Sequence, residues 1–202
     1  MLTARHDEKP SDHLVDDAMA SLTYELTLYA VACLTEVDGV TGLKMLLEHP
    51  FPKRRAYPDQ MCAGLVGLYH YSKIAAAWNE QQKTKWISPL SQLFKERATH
   101  GKISFRKLVE AEALVFLFNV LIEERWYPSS AVYAERGPPF AWFMKAKAGR
   151  TPDRLALITQ KPDWGNVRDE FLKKLGSLLK GGGWSVFQWG YDEYLSSMGF
   201  GR

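Results

Sequence analysis

The chain has 202 residues, 46% hydrophobic and 13% aromatic, which excludes an intrinsically disordered polymer and leaves room for one domain with or without a small appendix. A formal charge of +3 and a pI near 8.8 fall short of the strongly basic balance of a dedicated nucleic-acid domain. Two cysteines, Cys33 and Cys62, exclude a disulfide framework; both lie in apolar helical patterns and read as reduced, buried thiols, which suits a reducing cytoplasm.

Residues 1–11 are polar and mixed in charge, so they read as a tail without the apolar stretch of a signal peptide. A helix is expected from Asp12, with Asp16 and Asp17 well placed in its first turns. Val15, Ala18, Met19, Leu22, Leu26, Tyr29 and Cys33 recur at three-to-four spacing and form one apolar face. Asp38-Gly39 breaks the run, and Val40 to Glu48 is a short second helix. Three prolines make 49–60 a loop, after which Pro58 or Asp59 opens a helix to about Glu80. Ser88-Pro89 starts another, to about Thr99, ended by His100-Gly101.

The stretch 104–126 is the most apolar of the chain and its centre is hydrophobic on every side, the mark of a central helix wrapped by others, and Pro128 closes it. Its longest apolar run, Ala113 to Ile122, is ten residues and contains Asn119, and a membrane span needs about twenty apolar residues, so no membrane is expected. Beyond Gly137 prolines interrupt the pattern; Arg154 to Gln160 suits a short strand and Val167 to Lys180 a helix stopped by Gly181. Phe187, Trp189 and Tyr191 then alternate with other residues, so an extended arm would carry one aromatic face. The fold class that follows is mostly α: a compact multi-helix domain around a central hydrophobic helix at about 104–126, with a smaller mixed C-terminal segment. The expected organisation is a tail at 1–11, a helical core at 12–136, and a segment at 137–202 packed on that core.

No complete catalytic, phosphate-binding or metal-binding motif is present, and neither a cofactor nor a metal is expected. The polar residues that stand out are on the central helix. Glu112, Asn119 and Glu123 lie at i, i+7 and i+11, on one face; a buried carboxylate there would suit acid–base work, with Asn119 orienting a substrate or water. His70 shares a helical face with Val66 and Ile74 and is a further candidate base. The structural alternatives are a Glu112 paired with a cation from a neighbouring helix, an Asn119 that holds backbone or register, and a solvated Glu123.

Charge is segregated. Residues 1–50 carry three Lys/Arg against nine acids, and 51–107 carry eleven against three. Basic clusters at Lys53, Arg54 and Arg55, at Lys83, Lys85 and Trp86, at Arg106 and Lys107, and at Lys145, Lys147 and Arg150 mix cations with nearby rings, as single-stranded nucleic acid requires. The same mixture also suits helix surfaces that attract one another. Three functional classes therefore stand. The first is a cytoplasmic protein-binding module, an adaptor or an inhibitor of the antitoxin or immunity type, whose partner meets Phe187, Trp189 and Tyr191. The second is a nucleic-acid binder using the basic clusters, and the third an enzyme using the helix carboxylates.

Overall fold

The computed structural model describes residues 10–37, 39–52, 61–68, 72–83, 88–98, 101–124, 126, 128–130, 169–171, 173, 174 and 177. In chain order these form α1 (Pro10–Glu36), α2 (Val40–Glu48), β1 (Phe51–Pro52), β2 (Met61–Cys62), a 3₁₀ turn (Val66–Leu68), α3 (Lys73–Gln81), α4 (Pro89–Ala98) and α5 (Phe105–Leu121). Residues 169–171, 173, 174 and 177 are helical as well and are called α6 below. The described part is mostly α, a multi-helix domain whose one sheet is a two-residue antiparallel pairing of Phe51 with Cys62 and Pro52 with Met61.

Helix α5 is the centre. Ser104 caps it by accepting the Lys107 amide at 3.4 Å, and every residue from Leu108 to Leu121 is buried. A helix apolar all round has no solvent face to offer, so its neighbours must enclose it. α1 runs antiparallel along it, with Tyr24 beside Glu112 and Glu36 beside Lys107. Phe171 of α6 packs edge-on against Phe116 at 5.9 Å, and Phe94 of α4 lies 6.0 Å from the Tyr24 ring. Tyr24, Phe94, Phe116, Phe171, Leu28 and Leu114 are among the largest fully buried side chains, and they tie four helices into one core.

Two boundaries differ from the sequence expectation, each for a backbone reason. The central helix ends at Leu121 rather than near Trp126. The Glu124 amide donates to Asn119 O at 2.9 Å and the Glu123 amide to Val120 O at 3.1 Å, with Glu123 at φ 62°. That is a Schellman stop. It normally advertises itself with glycine, and here glutamate fills the left-handed position. The helix expected from Pro58 or Asp59 begins only at Lys73. Met61 and Cys62 pair with β1, and Gly64 and Leu65 then take consecutive left-handed conformations, φ 69° and 62°, that no helix tolerates. Leu65 is wholly buried, and that burial offsets the cost of its backbone.

The largest correction concerns α1. Most of the face formed by Val15, Ala18, Met19, Leu22, Leu26, Tyr29 and Cys33 points away from the core; Tyr29 alone among the seven is partly buried and packs against it. Val15 is 63% exposed, Met19 54%, Leu22 45% and Leu26 58%. The inward face is Asp17, Ala20, Tyr24, Leu28 and Val31, all buried. At 3.6 residues per turn the two faces lie on opposite sides of the helix. Cys33 goes with the outward side and is exposed, whereas Cys62 is buried as expected.

Candidate functional site

Glu112 enters the core from the middle of α5 and is fully buried. Its partners are hydroxyls and an amide, not the cation that a buried carboxylate usually recruits. Tyr24 Oη donates to Oε1 at 2.6 Å and Ser129 Oγ at 2.9 Å. The Ser130 amide donates to Oε2 at 2.7 Å, and Ser130 Oγ donates to the same oxygen. Burial raises the pKa of Glu112 above the ordinary carboxylate value, and the donors from Ser130, Tyr24 and Ser129 oppose that rise. Four donors on two oxygens fix α1 and the 129–130 turn to the central helix. The carboxylate is closed to solvent.

Asn119 is also fully buried but faces another element. Its Nδ2 donates to Gly64 O at 2.6 Å and to Val115 O at 2.9 Å, pinning the left-handed turn after β2 onto α5. Oδ1 is buried without a hydrogen-bond partner. Glu123 sits beyond the helix end, two-thirds exposed, 3.5 Å from Lys174 Nζ of α6. The three polar residues aligned by sequence spacing thus enter three different environments.

Of the basic residues, Arg106 lies 3.2 Å from Glu110 within α5, and Lys107 reaches Glu36 of α1 at 2.7 Å. Burial raises the Glu110 pKa, and Arg106 opposes the rise. Thr35, Glu36, Lys107 and Glu110, with Ala32 and Ala111, line a cleft no larger than one water, too small for a metabolite. Lys83 is exposed just past α3 with φ 53°. His70, Lys53, Arg54, Arg55, Lys85, Trp86, Lys145, Lys147, Arg150, Phe187, Trp189 and Tyr191 lie outside the described residues, as do the expected strand at 154–160 and the glycine stop at 181. Among the described residues no group of three or more His, Cys, Asp or Glu is placed to hold a metal ion.

Two polar positions were missed by sequence reasoning. Asp17 of α1 is buried and accepts from Ser72 Oγ at 3.1 Å, the Lys73 amide at 3.2 Å and the Ile74 amide at 3.0 Å. It completes the cap of α3, where Ser72 Oγ accepts the Ala75 amide at 3.1 Å. Glu25 is buried against Arg97 of α4. Asp17 sits on the side of α1 opposite Val15, Leu22 and Leu26, and Glu25 on its flank, so buried acids join Tyr24, Leu28 and Val31 in holding the helix while Leu22 and Leu26 point outward. The signal was in the sequence, since Asp17 and Tyr24 are one heptad apart while Leu22 and Leu26 lie on the other side.

Among the described residues, the outward face of α1 is an apolar surface that the core does not cover. Leu14, Val15, Met19, Leu22 and Leu26 form one exposed apolar stripe, and such contiguous patches mark interaction sites. α1 is also long and apolar enough, over Leu14–Glu36, to cross a membrane. Between residues 10 and 36 it contains no Lys or Arg. No protein-family model matches the chain, and neither does any of the curated proteins or solved structures compared with it.

Proposed function

We propose that this chain is a protein-binding module, an adaptor or inhibitor, that docks its partner on the outward face of α1. One observation carries the reading: an apolar stripe of at least five side chains exposed on a helix whose other face is fully tied into the core. Membrane docking fits less well, because interfacial helices place Lys and Arg along their polar face, and α1 has none. A span fits less well still, since crossing would strip Asp17, Tyr24 and Glu25 of their partners in α3, α5 and α4. Catalysis has the weakest support, because Glu112 is sealed and already spent on four donors.

The test is a paired variant, Leu22→Glu with Leu26→Glu. Far-UV circular dichroism and thermal unfolding should match the wild type, while proteins captured by wild-type bait from host lysate should be lost. Equal capture by both baits would remove α1 as the docking face. A nuclease-sensitive catch retained by the variant would favour the nucleic-acid alternative.

A further inference from the structure

We draw no further inference here: the strongest candidate, the exposed apolar face of α1 at Leu14, Val15, Met19, Leu22 and Leu26, is the docking surface already proposed, and nothing in the structure shows what covers it.

Discussion

Replacing Glu112 separates a structural carboxylate from a catalytic one, and the size of the effect follows from its four donors. Glu112→Ala leaves the Ser130 amide, which cannot turn away, without an acceptor in a sealed site. An unsatisfied buried donor costs about 1–3 kcal/mol. The lost side chain adds a cavity term of about 2 kcal/mol at the lower end for large-to-small core changes. A loss of about 4 kcal/mol is therefore expected, a large share of the 5–15 kcal/mol typical of a domain. Urea unfolding at pH 7 would show it as a midpoint lowered by roughly 2 M for a slope of about 2 kcal/mol per M. Glu112→Gln keeps the shape, can turn its carbonyl toward the Ser130 amide, and offers its amide to the Tyr24 and Ser129 hydroxyls, so it should stay within about 1 kcal/mol. The pH dependence has a definite sign. Burial raises the folded pKa above 4.5, so the folded state holds the proton over a window where the unfolded chain has released it. Wild-type stability should fall, relative to Glu112→Gln, as pH rises from about 4.5 through that raised value, and then level off. An alanine variant that loses less than about 1 kcal/mol, or a difference that grows with pH, would refute this account of the site.

Three further outcomes follow from the same geometry. Gly64→Ala places a Cβ in collision with Asn119 Oδ1 at a backbone of φ +69°, so it should destabilise by about 2 kcal/mol or more in chemical unfolding. Asp17→Ala removes the acceptor for the Lys73 and Ile74 amides and should cost about 1–2 kcal/mol, with amide hydrogen exchange accelerating first at the start of α3. Cys33 should react with a thiol reagent in the native protein and Cys62 only on unfolding, which mass spectrometry of labelled peptides would read.

The helical class and the central helix were legible because the centre of α5 is hydrophobic on every side and its apolar run is too short to span a membrane. α2 and α4 were legible through Gly39 and Pro89, which punctuate the chain beside them. Gly64 was the missed punctuation: its position in an apparently helical run concealed a left-handed turn that only the fit against Asn119 reveals. The end of α5 was missed because Glu123, not glycine, occupies the left-handed stop. The inward face of α1 was not legible because periodicity ranks faces by greasiness, whereas this helix is held also by Asp17, Tyr24 and Glu25 through hydrogen bonds and an ion pair. The apolar face that periodicity marks there is, Tyr29 apart, the exposed side of the helix. Glu112, Asn119 and Glu123 share a helical face on paper. The early end of α5 carries Glu123 out of the helix, and the 61–68 segment and the 129–130 turn draw the other two apart.

The central claim is that the outward face of α1 is a docking surface. The measurement that meets it most directly is capture by tagged wild-type chain and by tagged Leu22→Glu/Leu26→Glu, each expressed in the native host. Thermal stability of the two baits is read alongside. The account predicts baits of equal stability, since surface changes stay within about 0.5 kcal/mol each, with a stoichiometric partner on the wild type alone. A variant that unfolds would show the face to be core, and a partner held equally by both baits would place the interface elsewhere.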